Sequence, residues 1–392
     1  MVFVMTACAE NSSQSEKSQP AEQTTVQPTT MSAEEINDRK LDKFISDMTL
    51  EEKVGQMFFV RCPDEGAVQQ VSEYNIGGYI LFGRDFDGKT KDEVLDDIHS
   101  YQNEADIPLL IGVDEEGGTV VRVSSNPNLR ETPFLSPKDT YADGGWDAVK
   151  QDAEEKADLL LSLGINVNLA PVCDMTSDEY GFMYDRSFSS DVDMENRYVR
   201  TVVETSKSKK LGTVLKHFPG YGNNSDTHTG IAYDDRDYSE FENTDFKPFY
   251  QGIESGADCI LVSHNIVNCM DSEYPASLSQ KVHDILRNEF KFDGVIMTDD
   301  LIMDAITDFT GDEAAAVTAA KCGNDLLCCS SVDTQYPAVL EAVQNGEIPE
   351  AQVDASVKRI LKWKQNLGIF NIDTYQKKVK STEPTDTVES EE

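Results

Sequence analysis

The stretch Pro108-Leu-Leu-Ile-Gly-Val-Asp-Glu-Glu-Gly-Gly118 changes within a few residues from apolar to acidic and then to glycine. A short apolar run is typical of a parallel β-strand that is buried on both faces. Acidic residues and glycines directly after it mark the end of the strand and the turn that follows. The stretch bears on the fold because similar runs recur along the chain.

Eight short apolar runs predict eight strands, at residues 56–61, 78–82, 108–113, 167–172, 213–217, 259–263, 294–298 and 325–329. Segments with helical periodicity lie between them, at residues 91–104, 147–163, 195–210, 246–256, 280–290, 312–321 and 336–345. Strands that alternate with helices in this number predict an α/β fold, a single (β/α)8 TIM barrel. The alternative, a doubly wound open sheet, normally has a glycine-rich phosphate turn after its first strand, and this sequence has none there.

The length and the charge restrict the classes of partner. The chain has 392 residues, with 34 Lys and Arg against 72 Asp and Glu, and a formal charge of −38. Binding to nucleic acid or to anionic lipid needs clustered basic residues, so both partners are predicted to be absent. The length alone allows two domains, and the strand count favours one. The chain has no apolar run of about 18 residues, so no transmembrane helix is predicted.

The two ends of the chain differ in composition from the part between them. Thr6-Ala-Cys8 follows an apolar stretch and looks like the end of a bacterial lipoprotein signal, in which Cys8 is lipidated. Residues 9–32 are rich in Ser, Gln, Thr, Glu and Pro, which is typical of a flexible tether. We therefore predict a signal remnant and tether at 1–35, a catalytic barrel at 36–372 and an acidic disordered tail at 373–392. The predicted location is extracellular, at the cell surface, with membrane contact only through the lipid anchor.

The cysteines do not form a disulfide pattern in the sequence. Cys62, Cys173, Cys259, Cys328 and Cys329 lie in or beside apolar runs, and the chain has no CxxC motif. Buried free thiols are the expectation, because a free cysteine packs as a small apolar residue. One or two disulfides remain an alternative.

Reactive side chains follow five of the predicted strands. Strand three ends in three acids, and the others end in Asp174, Lys216-His217, His264 and Asp299-Asp300. In a TIM barrel the carboxyl ends of the strands meet at one face, which holds the active site. The sequence therefore predicts a polar pocket at this face.

A long loop after Lys216-His217 carries an Asp-x-His pair. The stretch from Phe218 to Gly230 contains three glycines and a proline, and within it Asp226 lies two residues before His228. A carboxylate beside an imidazole sets the tautomer of the ring and favours its protonated form, which makes a proton donor usable near neutral pH. The alternative is a solvated turn that happens to contain a histidine.

No cofactor and no metal are predicted. The chain has five His and neither an HxH nor an HExxH motif, which gives weak support to a hydrolytic zinc site. Lys216 could in principle form a Schiff base at its strand end, but its acidic neighbours do not favour the neutral amine that this chemistry needs.

Several of these segments together resemble glycoside hydrolase family 3, specifically its single-domain β-N-acetylglucosaminidase branch. The similarity extends over about residues 40–370. It lies in Met48-Thr-Leu-Glu-Glu-Lys-Val-Gly-Gln-Met57, Gly112-Val-Asp-Glu-Glu-Gly-Gly118, Asn168-Leu-Ala-Pro-Val-Cys-Asp174, Arg186-Ser-Phe188, Lys216-His-Phe-Pro-Gly220, Asp226-Thr-His228, Pro275-Ala-Ser-Leu-Ser279 and Gly294-Val-Ile-Met-Thr-Asp-Asp-Leu301. The most specific signal is the Lys-His-Phe-Pro-Gly motif with an Asp-x-His downstream.

The resemblance implies roles for particular residues. Asp299 matches the nucleophile of the family, His228 its acid/base and Asp226 the partner of that histidine. Positions that bind sugar in the family match Asp114, Arg122, Arg186, Lys216 and His217. The sequence departs from the family pattern at Tyr221 and Asn223, where His and Asp are common, and at Glu115, where Gln is frequent.

The expected activity is that of a retaining β-N-acetylhexosaminidase, which releases terminal N-acetylglucosamine, with peptidoglycan fragments as a candidate source. Such a reaction needs a proton for the leaving oxygen and a carboxylate facing the anomeric carbon. A β-glucosidase, another β-hexosidase or a phosphorylase of the same family, and a carbohydrate-binding lipoprotein without catalysis, remain alternatives. The expected partner is a small glycoside or oligosaccharide, and the expected state is a monomer.

Overall fold

The computed structural model describes residues 1–3, 31–222, 224, 230–310 and 312–377. The chain divides into two compact units, Met1–Arg39 and Lys40–Glu392. In the first unit a reciprocal pair of hydrogen bonds caps a helix. The amide of Glu35 donates to Ser32 Oγ at 3.1 Å, and the amide of Ser32 donates to Glu35 Oε2 at 2.7 Å. This capping box satisfies two amides that have no partner inside the helix.

The described residues of the second unit form ten strands. They are β1 Phe58–Arg61, β2 Gly78–Leu81, β3 Leu110–Val113, β4 Val167–Asn168, β5 Gly212–Phe218, β6 Tyr233–Asp234, β7 Cys259–Val262, β8 Ile266–Val267, β9 Val295–Thr298 and β10 Leu327–Cys329. Eight of them pair in the parallel order β10-β1-β2-β3-β4-β5-β7-β9. A parallel bridge between Met297 and Leu326 joins the two ends of this order. The predicted TIM barrel is confirmed.

Helices lie between the strands along the chain. Their bounds are α1 Ala33–Ser46, α2 Leu50–Gln56, α3 Ala67–Tyr74, α4 Lys91–Glu104, α5 Pro137–Ser162, α6 Val192–Lys209, α7 Tyr238–Asn243, α8 Phe246–Glu254, α9 Gln280–Asp284, α10 Asp304–Thr310, α11 Asp312–Lys321, α12 Val332–Gln344 and α13 Glu350–Asn366. Helix α5 begins ten residues before its predicted start and bends at Gly144 and Gly145. Within the described part of the chain, we find no helix with the length and apolar character needed to cross a membrane.

The fourth strand is shorter than predicted. The regular pairing of β4 ends at Asn168, and Val172 forms a further bridge with Lys216. Between them the amide of Leu169 donates to the carbonyl of Val113 at 2.9 Å, and the carbonyl of Ala170 accepts the amide of Val214 at 3.0 Å. Pro171 lies between these points and has no N–H to donate to a neighbouring strand, so it interrupts the ladder. The apolar run itself is intact, since Leu169 and Val172 are both buried.

Alternate residues of each strand enter different apolar clusters. Phe59 and Ile80 belong to one cluster, whereas their neighbours Phe58, Val60 and Tyr79 belong to another. Successive side chains of a strand point to opposite faces, so a closed barrel divides them between its interior and the helical layer. This division explains why the predicted strands are apolar throughout and do not alternate with polar residues.

Seven cysteines lie in the described residues, and all seven are free. Six of them are buried and Cys269 is exposed. The expectation of reduced, buried thiols is therefore confirmed for Cys62, Cys173, Cys259, Cys328 and Cys329. Cys8 lies outside the described residues, as does the greater part of the predicted tether and tail.

Candidate active site

A cavity of about 610 Å³ opens at the carboxyl ends of the barrel strands. Six residues predicted for the site line it, namely Asp114, Arg122, Arg186, Lys216, His217 and Asp299. The structure thus brings together side chains as distant in the sequence as Asp114 and Asp299, which are 185 positions apart. The other two predicted catalytic residues, Asp226 and His228, lie outside the described residues, as does the departure at Asn223.

Four charged side chains on one side of this cavity pair with one another. Lys216 Nζ lies 2.6 Å from Asp114 Oδ1 and 2.6 Å from Glu116 Oε1. Arg186 binds the same Glu116 through two nitrogens, with Nη2 at 2.7 Å from Oε1 and Nε at 3.0 Å from Oε2. A buried charge is tolerated when it is paired and hydrogen-bonded, and a two-pronged Arg–carboxylate pair also fixes orientation. We call Asp114, Glu116, Arg186 and Lys216 the ion-pair cluster.

Burial and ion pairing act against each other in this cluster. Burial lowers the pKa of Lys216, but the carboxylates of Asp114 and Glu116 outweigh it, so the pKa lies above its ordinary value. For Glu116, burial raises the pKa, while Lys216 and Arg186 lower it further than burial raises it. Both groups are therefore charged over a wide range of pH. They form a fixed array of charged hydrogen-bonding groups beside the cavity.

His217 is oriented by a fully buried carboxylate beneath it. Asp174 Oδ2 lies 2.6 Å from His217 Nδ1 and accepts the backbone amide of His217 at 3.0 Å. On the other side of the ring, Arg186 Nη2 lies 3.3 Å from His217 Nε2. An arginine can only donate, so Nε2 accepts and the proton sits on Nδ1, facing Asp174. The other oxygen of Asp174 accepts the amide of Tyr221 at 2.7 Å, which ties the following loop to the same carboxylate.

The three acids after β3 have three different surroundings. Asp114 lines the cavity and Glu116 joins the ion-pair cluster, whereas Glu115 is fully buried. The Glu115 carboxylate accepts the backbone amides of Arg122 at 2.8 Å and Val123 at 2.7 Å. Glu115 therefore holds the loop that carries Arg122. This contact explains how an acid serves at the position where Gln is frequent in the family.

The two glycines of the same motif are required by the turn. Gly117 has a φ of 103°, and a Cβ there would lie 2.2 Å from the carbonyl oxygen of Leu135. Residues other than glycine rarely adopt this conformation, and no side chain fits the space. The turn directs Glu116 back toward Arg186, so the sequence Glu-Gly-Gly encodes the position of the acid.

The end of β9 provides two further acids of the cavity, Asp299 and Asp300. The amide of Asp299 donates to the carbonyl of Val262 at 3.2 Å, which attaches Asp299 to the strand beside it. The Asp300 carboxylate accepts the hydroxyl of Ser330 at 2.7 Å, and its pKa is raised by burial and by the neighbouring charge of Asp299. His264, predicted as a strand-end residue of the mouth, is fully buried, with its two ring nitrogens near Ser277 Oγ and the carbonyl of Asp300.

Sequence reasoning left out several residues that line the cavity, namely Arg61, Phe82, Phe182 and Cys328. Glu116, Asp174 and Asp300 were predicted only as strand-end residues of the mouth, without particular roles, and the structure shows that Glu116 and Asp174 hold residues that line the cavity. Arg61 had a signal, because it is a charged residue at the end of the first predicted strand. Phe182 had none, since it lies in an irregular segment without a motif.

An arginine holds the segments on both sides of residues 225–229. Arg236 Nη1 contacts both carboxylate oxygens of Asp245 at 3.0 Å, and its Nη2 donates to Asp234 at 2.8 Å and to the carbonyl of Gly220 at 3.2 Å. Asn224 donates to the same Asp234 at 2.8 Å. The chain is therefore anchored directly before and after the predicted Asp226–His228 pair.

Among the residues that the structure describes, no three His, Cys, Asp or Glu side chains form a group that could hold a metal ion. The cavity is instead lined by carboxylates, guanidinium groups, one ammonium group and aromatic rings. These are the groups that bind sugar hydroxyls by hydrogen bonds and sugar faces by packing.

A family model described as the glycosyl hydrolase family 3 N terminal domain matches residues 49–363. The chain belongs to glycosyl hydrolase family 3. A β-hexosaminidase of Hydrogenovibrio crunogenus is 31% identical to this family 3 chain over 286 residues, which cover 71% of this chain and 79% of that enzyme. The β-hexosaminidase LpqI of Mycobacterium tuberculosis is 31% identical over 327 residues, which cover 79% of this chain and 81% of that enzyme.

Solved structures of family 3 members are similar as well. A family 3 β-N-acetylglucosaminidase from Paenibacillus superposes with a TM-score of 0.77 at 29% identity, over 87% of this chain and 66% of that chain. The structure of M. tuberculosis LpqI superposes with a TM-score of 0.74 at 27% identity, over 83% of this chain and 96% of that chain. The family 3 barrel thus accounts for most of this chain.

Proposed function

We propose that this family 3 chain is a retaining β-N-acetylhexosaminidase that releases terminal β-linked N-acetylglucosamine. It is a glycosidase by its family and by the names of its relatives, several of which are β-hexosaminidases. The observation that carries the proposal is the position of Asp299, a carboxylate on a rigid strand end in the same cavity as the ion-pair cluster and His217. A nucleophile beside a fixed set of hydroxyl-binding groups is what exo-hydrolysis of a terminal sugar needs.

In the proposed reaction the cluster and His217 bind the hydroxyls of the terminal sugar. Asp299 attacks the anomeric carbon and forms a covalent ester, while the bond to the leaving oxygen breaks and that oxygen takes a proton from His228. A water molecule then gives a proton back to His228 and attacks the same carbon, which releases Asp299 and the sugar. Two inversions give retention of configuration. The role of Asp226 is to orient His228 and favour its protonated form.

Peptidoglycan fragments are the proposed source of the terminal N-acetylglucosamine. The proposed location is the cell surface, with Cys8 lipidated and residues 9–32 as tether, and the proposed state is a monomer. The composition of the ends and the apolar stretch before Cys8 support the location. Mass spectrometry of the membrane fraction for a lipid on Cys8, and a Cys8→Ala variant that leaves the membrane fraction, test it.

The central test is Asp299→Asn, with Asp300→Asn as the matched control on the same strand end. Loss of the nucleophile is expected to reduce kcat on an aryl N-acetylglucosaminide by at least about 10³-fold, roughly 4 kcal/mol of barrier. Asp300→Asn is expected to lose less, because its carboxylate already binds Ser330. NMR of the first product anomer checks retention. If Asp299→Asn keeps more than about a tenth of the activity, or an inverted product appears, the mechanism is wrong.

A second measurement concerns the proton donor. His228→Ala is expected to slow a glycan substrate far more than an aryl glycoside, because a good leaving group departs without a proton. A panel of aryl β-glycosides run beside it tests the sugar preference. Faster turnover of the β-glucoside than of the N-acetylglucosaminide would favour a β-glucosidase, and binding without turnover would favour a carbohydrate-binding protein.

A further inference from the structure

A fully buried glutamate outside the cavity supports the segment that carries Arg186. Glu195 lies in the first turn of α6, and its side chain is inaccessible to solvent. Its Oε2 accepts the backbone amide of Ser189 at 2.9 Å. Ser189 follows Arg186 by three residues, so this hydrogen bond attaches residues 186–189, which we call the arginine segment, to the helix.

Aromatic rings hold the same segment from the other side. The ring of Phe188 stacks on that of Tyr198, with the centroids 4.7 Å apart, and it also contacts the rings of Tyr141 and Trp146. These contacts place the Phe188 side chain between α5 and α6 and leave the backbone after it to a polar partner. Glu195 is that partner, and Arg186 at the start of the segment reaches the cavity.

Glu195 differs from the acid of the ion-pair cluster in having no counter-charge. Glu116 is buried as well, and it pairs with both Arg186 and Lys216. In the part of the chain that the structure describes, Glu195 makes no ion pair, and its Oε1 has no hydrogen-bond partner. A buried carboxylate without a counter-charge loses its hydration and gains little in return, so the carboxyl group keeps its proton.

The neighbours of Glu195 favour the uncharged form as well. The titratable groups around it come from three elements, namely Lys138 of α5, Cys173 and Asp174 after β4, and Tyr198 of α6. Burial raises the pKa of Glu195 well above its ordinary value, and the charge of Asp174 raises it further. The amide of Ser189 and the charge of Lys138 lower this pKa by less. The ammonium group of Lys138 donates at 2.7 Å to the carbonyl of Tyr184, so it does not neutralise Glu195 by contact.

We propose that Glu195 is a positioning residue of the active site that acts in its uncharged form. It holds the arginine segment, and thereby keeps Arg186 at Glu116 and His217. It also adds no second negative charge beside Asp174, the carboxylate that orients His217. This inference rests on the proposed function, since it assigns Arg186 to sugar binding.

The first experiment separates the length of the side chain from its charge. Glu195→Gln keeps the length and the acceptor oxygen, whereas Glu195→Asp keeps the acid and is too short by one methylene group. On an aryl N-acetylglucosaminide at pH 6.5, Glu195→Gln is expected to stay within about twofold of the wild type in both KM and kcat. Glu195→Asp is expected to raise KM at least about tenfold with a smaller change in kcat, because Arg186 binds the sugar before and during the reaction. A loss in Glu195→Gln as large as in Glu195→Asp would overturn the proposal, and so would a wild-type KM in Glu195→Asp.

The second experiment counts protons and needs no turnover. The pKa of a glutamate is about 4.3 in an unfolded chain and is raised in folded Glu195, so above about pH 4.5 the folded chain holds one proton more than the unfolded chain. The stability that this proton contributes is complete below that pH and is lost as the pH rises. Between pH 5 and pH 7 the unfolding equilibrium constant of the wild type is therefore expected to rise about tenfold per pH unit relative to that of Glu195→Gln. Urea unfolding curves at pH 5, 6 and 7 measure the ratio, and a ratio that does not change with pH would show that Glu195 is charged.

Glu204→Gln is the matched control, because Glu204 is an exposed acid of the same helix. It is expected to match the wild type in KM, in kcat and in the pH dependence of unfolding. If Glu195→Asp does not fold, the kinetics of Glu195→Gln and the proton count still decide the proposal. Absence of all turnover of aryl N-acetylglucosaminides by the wild type would refute the proposed function, and the unfolding curves would still test the charge of Glu195.

Discussion

Two fully buried lysines lie at opposite ends of the barrel, and they differ in the charge of the groups that contact them. Lys216, at the carboxyl ends of the strands, has two carboxylate oxygens at 2.6 Å. Lys364 of α13 donates at 2.7 Å to the amide oxygen of Gln56, the last residue of α2, which lies two positions before the start of β1. The pKa of Lys216 lies above its ordinary value, whereas burial lowers the pKa of Lys364 to about 7.

The difference follows from the partner of each ammonium group. Both lysines lose their hydration on burial, which disfavours the charged form of each. Carboxylates compensate this loss by direct attraction, and a neutral amide compensates only a part of it. The comparison teaches that a buried lysine of this barrel stays charged where carboxylates contact it. The same holds for buried Asp325 before β10, which pairs with Arg287 and Arg359.

The cavities at the two ends also differ in the polarity of their walls. The cavity at the mouth is lined by charged side chains, whereas a smaller one of about 220 Å³ near the amino ends of the strands has a largely apolar wall. The apolar residues of that wall include Phe44, Met48, Val71, Ile76 and Ile107. In TIM barrels the carboxyl face carries catalysis and the amino face contributes stability.

The largest effect is expected for Lys216→Met. The change leaves Asp114 and Glu116 with one counter-charge fewer in a buried place, which costs about 3–5 kcal/mol in the free energy of unfolding. We also expect a loss of at least about 10²-fold in kcat/KM on an aryl N-acetylglucosaminide, because a sugar-binding donor is lost. Urea unfolding and steady-state kinetics check the two parts. A variant with wild-type kinetics would show that the ion-pair cluster serves only stability.

Lys364→Met is expected to act in the opposite direction. At pH 7 it removes a buried group that is partly charged, so the free energy of unfolding is expected to rise by about 2 kcal/mol. Turnover is expected to stay within about twofold of the wild type, since Lys364 is at the other end of the barrel. A destabilised variant at pH 7 would contradict the low pKa of Lys364.

The stability of the wild type and that of Lys364→Met are expected to depend differently on pH, because burial lowers the pKa of Lys364. The pKa of Lys364 is about 7 in the folded chain and about 10.4 in the unfolded chain, so between these values the unfolded chain binds more protons. The stability of the wild type therefore gains up to about 1.4 kcal/mol per pH unit from pH 7 to pH 10 through this group, and nothing below pH 7. The advantage of Lys364→Met is expected to shrink and reverse over that range. Parallel unfolding curves at pH 7, 8 and 9 measure it.

The smallest effect is expected for an exposed pair near the apolar cavity. Lys377 forms an ion pair with Glu52, and the side chain of Lys377 is 56% exposed. Surface pairs of this kind contribute little because water screens them and ordering the long side chain costs entropy. Lys377→Ala is expected to change the free energy of unfolding by less than about 0.5 kcal/mol, and thermal unfolding checks it. A loss above about 1 kcal/mol would show that the pair closes the cavity.

The sequence allowed the barrel and much of the mouth to be predicted. The eight apolar runs were visible because burial on both faces leaves a local mark on each strand, and Asp114, Lys216 and Asp299 were visible because they end such runs. Helix α13 was not predicted, and the length of β4 was wrong because Pro171 interrupts the ladder. The roles of Glu115 and Glu116 could not be separated, since three consecutive acids look alike until Gly117 turns the chain.

By itself the sequence determined the fold, the face of the barrel that carries the chemistry and the residue types available there. These follow from local patterns, in which a few neighbouring residues specify a strand and its end. Only the tertiary structure decided which polar and charged side chains pair with one another. Glu116 and Arg186 are 70 positions apart and form a two-pronged pair, and Gln56 and Lys364 meet across 308 positions. The protonation of a buried lysine depends on such distant neighbours, because electrostatic interactions act through space and are strongest where water is excluded.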